Sequence, residues 1–376
     1  MLSSPVKALI PSKWLHRLRW IKKWPHPEKE AVILFTSGTE AMPKGVPLTH
    51  KNLLSNMQAA LCSVDIRRND TLLSALPPFH SFGFSVTGLL PLLAGVRVVF
   101  APNPTDAGQQ LRILHKWEAT ILCSAPSFLL NVMKQGSIDL LQSLRLIVSG
   151  AEKAPKELIE QINSKTPQAK FLEGYGITEC APILTINNTG DPQEGVGSPL
   201  ENTKIKIVHP EDFSITLPCG QAGMILAQGP NIFEGYLQTN VSSPFYHDDV
   251  RWYVTGDIGY LNEKGSLTIT GRLKRFVKIG GEMFSLGAIE SALTEEPSIG
   301  QGEGPQLAIC AKGEAEGRPH IIAFTTKELP LLSINTILRK KGFSNLVRID
   351  RVISLEEIPL TGTGKIAYRE LEMKYS

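Results

Sequence analysis

The sequence predicts an α/β protein of more than one domain, on three observations. Its 376 residues, 42% hydrophobic and 20% charged, suit a folded chain that is too long for one compact core. Strand-like apolar runs alternate with helical patterns from residue 31 to about 175, which favours a largely parallel sheet. Short β-type runs then fill residues 195–270 between glycines and prolines, and a mixed pattern follows.

These changes of pattern divide the chain into four predicted segments. Residues 1–30 form a basic lead segment, and residues 31–194 form the subdomain with the parallel α/β sheet. A β-rich subdomain is predicted over 195–273, and a small α+β C-terminal domain over 274–376. The change of pattern places a domain boundary near Lys274.

Single elements are predicted from periodicity. In the α/β segment, a helix begins near Thr49, another follows Pro155, and strands lie at 31–35, 71–76, 96–100, 120–123, 144–148 and 170–172. The β-rich segment has strand candidates at 204–208, 224–227 and 266–270. The last segment has helices at 286–293 and 334–340 and strands at 307–311 and 320–325.

Charge excludes one class of function and singles out one segment. A net charge of +3 lacks the basic excess of a dedicated nucleic-acid binder, so no nucleic-acid partner is predicted. Residues 1–27 carry six basic side chains and no acidic one, and residues 11–24 have helical apolar spacing. This amphipathic pattern predicts either peripheral contact with an anionic membrane or a helix docked on the next domain.

The cysteines and the hydropathy indicate the compartment. Five cysteines stand far apart, without the close pairs of zinc knuckles or redox dithiols, so a reduced cytoplasmic setting is expected. The most apolar stretch, residues 86–100, is interrupted by Pro91 and Arg97 and is shorter than the roughly 20 residues of a membrane span.

Two polar segments follow predicted strands and suit an anionic ligand. Residues 36–45 offer three hydroxyls, backbone amides and Lys44, which a polyphosphate needs, although Pro43 excludes a Walker A loop. A polar strand-to-helix connection is an equal alternative. Residues 173–179 join a flexible turn to Tyr175, Thr178 and Glu179, and the carboxylate suits a magnesium ion beside phosphates or a helix start.

Four further positions are candidates with simpler alternatives. Residues 149–152 end a strand at the sheet edge where ligands gather. Asp257 follows what reads as a tight turn and could accept bonds from sugar hydroxyls. His80 lies among aromatic residues and is more often a satisfied core histidine. Lys365 is presented between glycines, whereas most lysines are simply solvated.

Seven motifs in order resemble the adenylate-forming superfamily of acyl-CoA ligases and acyl-carrier-protein synthetases. They are FTSGTEAMPKGV, PPFHSFG, SGAE, EGYGITE, YVTGD, GRLKR and PLTGTGK, within residues 31–370. The sequence of residues 172–187, 229–237 and 278–290 is most similar to the acyl-acyl-carrier-protein synthetase part of the bacterial bifunctional acyltransferase/synthetase. The family's first subdomain is not matched, so we expect a longer reading frame or a partner to supply it.

The resemblance implies roles for individual residues. Catalytic roles fall to Lys365, Glu179 and His80, with Glu179 as the magnesium ligand and Lys274 as the hinge about which the last domain is mobile. The residues expected to bind ATP or AMP are Thr36, Ser37, Gly38, Thr39, Lys44, Gly150, Ala151, Glu152, Tyr175, Gly176, Thr178, Asp257 and Arg272.

The implied reaction uses ATP and Mg2+ to activate a medium- or long-chain fatty acid as acyl-AMP. The acyl group then passes to the phosphopantetheine thiol of acyl carrier protein, or alternatively to coenzyme A. Two positions depart from the common phosphate loop, because Glu40 adds an acid and Ala41 replaces a glycine. A truncated protein that binds a nucleotide or a membrane without catalysis is therefore a third hypothesis.

Overall fold

The computed structural model describes residues 26–36, 44–187, 195–238, 242–279, 282–302, 304–312, 319–361 and 365–375. The predicted amphipathic segment at 11–24 and the loop residues Ser37, Gly38 and Thr39 lie outside these ranges. None of the helices in the described ranges is long and apolar enough to cross a membrane.

A seven-stranded sheet forms the body of the described chain, in the order β4-β3-β5-β6-β7-β8-β9. The first five of these strands run parallel, and β8 and β9 add an antiparallel edge. This confirms the predicted α/β class. The strands are β3 (Thr71–Ser74), β4 (Arg97–Phe100), β5 (Ile121–Ser124), β6 (Leu146–Gly150), β7 (Lys170–Gly176), β8 (Ile183–Ile186) and β9 (Ser198–Pro199).

Helices cover both faces of this sheet, which explains why its central strands are apolar throughout. One face packs on α3, α4 and α6 around Leu114, Leu129 and Ile147. The other face packs on α1 and on a π-helical segment (Phe82–Leu89). The helices of this unit are α1 (His50–Ser63), α2 (Leu90–Ala94), α3 (Ala107–Trp117), α4 (Pro126–Gln135), α5 (Ile138–Leu141) and α6 (Lys156–Lys165).

The first predicted strand does not join the parallel sheet. β1 (Glu30–Thr36) pairs antiparallel with β2 (Lys44–Thr49) in a separate hairpin, which corrects its assignment to that sheet. The reason is local: only seven residues separate β1 from β2, which is too few for the crossover connection that a parallel neighbour needs. Helix α1 begins where predicted, after the N-cap residue Thr49.

The β-rich segment forms an antiparallel sheet in the order β10-β11-β13-β12, with β14 on β13. Its strands are β10 (Lys204–Val208), β11 (Gly223–Gln228), β12 (Phe245–His247), β13 (Arg251–Leu261) and β14 (Leu267–Arg272). The turn expected before Asp257 is wrong, because that residue lies inside the continuous strand β13. The glycine at 256, which suggested a turn, instead adopts φ +77° where the register of β13 slips against β11.

The residues after β14 form a small unit with its own core. A 3-10 turn (Leu273–Arg275) leads into the hairpin of β15 (Phe276–Ile279) and β16 (Glu282–Ser285). Three strands, in the order β17-β18-β19, pack on helices α7 to α10. These elements are β17 (Leu307–Lys312), β18 (His320–Thr325), β19 (Arg351–Ser354), α7 (Leu286–Thr294), α8 (Pro297–Gly300), α9 (Leu331–Lys340) and α10 (Tyr368–Tyr375).

One buried carboxylate fixes the start of the central strands. Asp70 is 2% exposed and pairs with Arg145 through both carboxylate oxygens. It also accepts hydrogen bonds from the Arg67 amide at 2.7 Å and the Thr120 hydroxyl at 2.8 Å. Burial opposes ionisation, but these donors together keep the pKa of Asp70 below its usual value.

Removal of this carboxylate should be costly. In Asp70→Ala the Arg145 guanidinium loses its buried partner, so the free energy of unfolding should fall by about 3–5 kcal/mol. Asp249, an exposed aspartate of the β-rich unit, is the matched control, and Asp249→Ala should leave stability nearly unchanged. Urea denaturation measures both. Since the pKa of Asp70 is depressed, the wild-type advantage should persist at neutral pH and disappear as acid protonates the native carboxylate.

Candidate functional site

The site lies at the carboxyl ends of β6 and β7, where an open α/β sheet binds ligands. β6 ends at Gly150 and β7 ends at Gly176. A β-carbon at Gly176 would meet the Pro182 carbonyl oxygen at 2.2 Å, so only glycine permits this close passage of the backbone. Ala151 follows in the left-handed region with φ +73°, which turns the chain out of the sheet.

Asp257 connects three elements at one side of the site. It is 3% exposed, and its Oδ2 accepts a 2.6 Å hydrogen bond from the Tyr175 hydroxyl. Its Oδ1 accepts from Nε of Arg272 at 2.9 Å. The bulge in β13 aims Asp257 across the unit boundary at β7, whereas a regular strand would turn the residue elsewhere. The Asp257 carboxylate raises the pKa of the exposed Arg272 guanidinium.

Glu179 lies on the other side, in a 3-10 turn (Thr178–Cys180) after β7. Its carboxylate is 8% exposed and accepts a 2.7 Å hydrogen bond from the Tyr236 hydroxyl. The Lys44 ammonium lies 4.5 Å from the centre of the Tyr236 ring. Burial, and then the Glu179 charge, raise the pKa of Tyr236, so the phenol stays a donor. Tyr236 thus links the predicted lysine and the predicted carboxylate.

Glu179 suits a magnesium ion that arrives with phosphates. Mg2+ is commonly held by one or two carboxylates together with substrate phosphates and water. Over the ranges that the structure describes, no group of three or more His, Cys, Asp or Glu side chains could hold a metal by itself. The donor set therefore fits a metal–nucleotide complex.

Thr178 is hydrogen-bonded to Ser81, the residue that follows His80. The Thr178 hydroxyl donates to Ser81 Oγ at 3.1 Å, and His80 Nδ1 accepts from the Phe82 amide at 3.3 Å. Since Nδ1 accepts, the neutral ring carries its proton on Nε2. Burial lowers the pKa of His80, and the charge of Lys365 lowers it further, so the ring remains neutral near physiological pH.

Lys365 reaches this site from the C-terminal unit. Its Nζ donates to the Ala151 carbonyl oxygen at 3.2 Å, although 214 residues separate the two. A small cleft lined by His80, Ala151, Glu152 and Lys365 joins the two units. Burial lowers the pKa of Lys365, as does Arg272, whereas Glu152 and Asp257 oppose this shift. Burial also raises the pKa of Glu152.

Most of the predicted residues therefore converge. Thr36 and Lys44 are partners at the loop end of the β1–β2 hairpin, on either side of the segment with Ser37, Gly38 and Thr39, which lies outside the described residues. Lys274 lies in the 3-10 turn between the β-rich sheet and the C-terminal unit. It lines neither the small cleft beside Lys365 nor the apolar cavity described next. The sequence reasoning missed Tyr236 and Ser81. Tyr236 stands in the segment 229–237 and Ser81 in the motif PPFHSFG, so both lie within stretches that resemble the family, but neither residue type indicates a role by itself.

An apolar cavity extends from the site into the body of the protein. One wall is the sheet, whose side chains line the cavity in rows of register partners on adjacent strands. The deepest row is Leu72, Ile121 and Leu146, which are neighbours across β3, β5 and β6. Cys123 and Val148 form the next row, and Gly150 and Gly174 form the row at the mouth. With about 3.3 Å per residue, the four steps from Gly150 to Leu146 give a depth of about 13 Å.

The opposite wall comes from helices and from β8. Ala60 and Val64 belong to α1 and its C-cap, and Phe82 and Val86 belong to the π-helical segment. No Asp, Glu, Lys or Arg side chain is among the described residues that line this cavity. Its volume of about 90 Å3 is below the roughly 150 Å3 of an engineered cavity that admits benzene, so a longer ligand must displace side chains.

Comparison with known proteins gives one family. A family model described as AMP-binding enzyme matches residues 7–237. The 4-coumarate–CoA ligase of Vanilla planifolia is 31% identical over 364 residues, with 93% of this chain and 64% of that protein covered. 4-Coumarate–CoA ligase 2 of Oryza sativa subsp. japonica is 28% identical, with 93% and 63% covered. The chain thus spans less than two thirds of the length of these curated relatives.

Solved structures agree with the fold. ATP-bound MatB from Rhodopseudomonas palustris superposes with a TM-score of 0.83 at 27% identity, over 93% of this chain and 69% of that one. MenE from Bacillus subtilis, in complex with ATP and magnesium ion, has a TM-score of 0.79 at 23% identity, over 92% and 70%. ATP with Mg2+, the predicted cofactor set, is confirmed for the ligases of the matched family.

Thiol labelling should report how well the cavity is closed. Cys123 lines the cavity at 3% exposure, and burial raises its pKa to about 12, so its thiol is neutral and shielded. Iodoacetamide at pH 8 should modify the exposed Cys62 and Cys219 and leave Cys123 unmodified. Peptide mass mapping identifies the sites, and rapid labelling of Cys123 in the native protein would contradict a closed apolar cavity.

Proposed function

Since the chain belongs to the AMP-binding enzyme family, we propose that it is an ATP-dependent acid–thiol ligase. A carboxylate oxygen attacks the α-phosphorus of ATP, and the bond to the β-phosphate oxygen breaks to release pyrophosphate. A thiol sulfur then attacks the acyl carbon, loses its proton and displaces AMP. The observation that carries this proposal is the contact of Lys365 with Ala151 at the mouth of the apolar cavity.

The chain's own residues provide charge and placement for the first step. Both reactants are anionic, so the site has to neutralise them and align them in line. Lys365 and Lys44 supply positive charge, and Thr178 donates a hydroxyl to a phosphate. Asp257 accepts hydrogen bonds from the ribose hydroxyls, and Arg272 lies beside it. Mg2+ held by Glu179 would add charge neutralisation at the phosphates when bound.

His80 acts where the two reactants meet. Its proton on Nε2 is available for the reacting carboxylate, and its neutrality avoids a second fixed cation beside Lys365. The backbone of Gly150, Ala151 and Gly176 forms the floor on which the adenine and the acyl carbonyl lie, with Tyr175 and Glu152 at the sides. Closure of the C-terminal unit over this floor protects the acyl-adenylate from water.

The second step requires that Lys365 withdraw. We propose the C-terminal domain from residue 274 as the mobile part, with Lys274 as its hinge. Lys274 is exposed in the short 3-10 turn that connects β14 to β15. Rotation there would move Lys365 away from Ala151 and open a path for the thiol. This motion is a gating step of the kind that lids and domains perform in many enzymes.

The cavity favours a linear, uncharged acyl chain as the substrate. No charged side chain among its described lining residues could pair with a second carboxylate, and burial of an unpaired charge there would be costly. A flexible chain can also widen a narrow cavity step by step, which a rigid ring cannot do. We therefore propose a medium- or long-chain fatty acid, with 4-coumarate, the acid named for the curated relatives, as the competing choice.

Two acceptors are proposed, each with its own support. Acyl carrier protein is favoured by the resemblance of residues 172–187, 229–237 and 278–290 to acyl-acyl-carrier-protein synthetases. Coenzyme A is favoured by the names of the curated relatives. The direct test is acid-dependent ATP–pyrophosphate exchange, followed by mass analysis of which supplied thiol becomes acylated. If the protein binds ATP but shows no exchange with any acid supplied, the proposed ligase activity is rejected and a non-catalytic nucleotide-binding protein is favoured.

Loss of the Lys365 charge should act mainly on the transition state. In Lys365→Ala we expect the exchange kcat to fall by about 10²- to 10³-fold, while the dissociation constant for ATP changes less than about threefold. Lys340, exposed at the end of α9, is the matched control, and Lys340→Ala should retain full exchange. A loss of ATP affinity with kcat unchanged would show that Lys365 contributes only to binding.

The row of Leu72, Ile121 and Leu146 should set the acyl length. A carbon–carbon bond of about 1.5 Å advances a zig-zag chain by about 1.25 Å, so the depth of about 13 Å corresponds to roughly ten carbons. Leu146→Ala should shift the preferred acid by about two to four carbons upward, in kcat/KM measured over a panel from hexanoate to palmitate.

The control for this shift lies on the same strand. Ile147 points to the opposite face of β6, so Ile147→Ala should cost similar stability, about 2–5 kcal/mol, without a change in the preferred length. If both variants alter the length preference equally, the effect is general loosening and the assignment of the row is wrong.

A further inference from the structure

A half-buried polar cluster in the C-terminal unit lies outside the site described above. The Glu290 carboxylate accepts hydrogen bonds from the Tyr368 hydroxyl at 2.7 Å, from the Ile309 amide at 2.8 Å and from Arg275 at 3.2 Å. The Arg275 guanidinium also stacks on the Tyr368 ring at 3.6 Å and donates to the Ile309 carbonyl oxygen at 3.1 Å. The three side chains Arg275, Glu290 and Tyr368 are called the Glu290 cluster below.

The members of this cluster come from functionally distinct places along the chain. Arg275 is the residue directly after Lys274, at the end of the 3-10 turn. Tyr368 begins α10, three residues after Lys365. Glu290 lies in the middle of α7 and joins the two. The cluster therefore links the start of the C-terminal unit to the segment that presents Lys365.

Other contacts of the Lys365 segment do less to fix its direction. The Lys365 amide donates to Thr361 Oγ1 at 3.2 Å, and its carbonyl oxygen accepts from the Thr361 amide at 2.7 Å. Both bonds join residues of the same segment, so they do not orient it relative to the rest of the C-terminal unit. Ile366 and Leu371 pack on the apolar face of the small sheet, but apolar contacts are not directional. The Glu290 cluster adds oriented bonds to a charged group, which are geometrically specific.

We propose that Arg275, Glu290 and Tyr368 are positioning residues that hold Lys365 at the reacting phosphate during the first half-reaction. The proposal rests on the proposed ligase function. Because the cluster begins next to the hinge, rotation about Lys274 carries Lys365 as part of a rigid body rather than on a loose segment. Small errors of placement reduce rates strongly when catalysis depends on alignment, so the effect should be specific to adenylation.

The test compares the two half-reactions in Tyr368→Phe and Arg275→Met. Tyr368→Phe keeps the ring beneath Arg275 and removes only one donor to Glu290. In both variants, the kcat of ATP–pyrophosphate exchange should fall about tenfold while the KM for ATP stays within about threefold. Thioester formation from supplied acyl-adenylate should stay within about twofold of the parent, because that step does not use Lys365.

A double-mutant cycle separates positioning from general scaffolding. If the cluster acts through Lys365, then Tyr368→Phe in the Lys365→Ala background should cause no further loss of exchange. Tyr246, which packs edge-on against Phe213 in the β-rich unit, is the matched control, and Tyr246→Phe should leave both half-reactions unchanged. The melting temperature of each variant is measured beside the rates.

The outcomes are distinct. A parallel fall of both half-reactions, or an additive loss in the Lys365→Ala background, would overturn the positioning role while leaving the ligase function intact. A parent protein that shows no exchange with any acid would overturn the ligase function, and this proposal with it. A selective, non-additive loss of exchange supports the proposal.

Discussion

The hydrogen-bonded group of Tyr175, Asp257 and Arg272 is the interaction on which the arrangement of the site depends. It ties the end of β7 in the parallel sheet to β13 and β14 of the antiparallel sheet. Asp257 is almost fully buried, so a change in the angle between the two sheets would cost this desolvated carboxylate its Tyr175 hydrogen bond and leave it with Arg272 alone. β14 then leads within three residues to the C-terminal unit. The point at which the C-terminal unit, with Lys365, is attached is therefore held in place relative to the parallel sheet.

The strand ends give the site its division into a polar rim and an apolar interior. Glycines at 150 and 176 bring bare backbone to the rim, and the polar side chains come from the turns that follow. Below the rim, the sheet wall presents Cys123, Val148 and larger aliphatic side chains, and none of its described residues is charged. This division suits the acyl-adenylate of the proposed reaction, which is charged at one end and apolar at the other.

Sequence reasoning predicted elements where one periodicity persisted, as in β10, β18 and the helix after Pro155. It singled out residues 149–152 and 173–179 because they follow predicted strands with glycine and hydroxyl residues, whereas the roles of single residues were implied only by the resemblance to the adenylate-forming superfamily. It failed where distant residues decide the outcome. The bulge that aims Asp257 depends on the pairing of β13 with β11, and Glu290 meets Tyr368 across 78 residues. The pairing of β1 with β2 was likewise invisible, because an apolar run does not show its partner.

The capped N-terminus of helix α1 bears on how phosphates can be bound. Its first amides are already satisfied within the chain, since Thr49 and Asn52 cap each other's backbone at 2.9 and 3.1 Å. The helix end is thus closed to a ligand, unlike the cradles in which a dipole faces a phosphate. In the proposed ligase, charge neutralisation would therefore come from groups other than this helix end, among them Lys44, which stands partly in water. Nucleotide affinity in this protein should accordingly be more sensitive to ionic strength than in proteins that use a helix terminus.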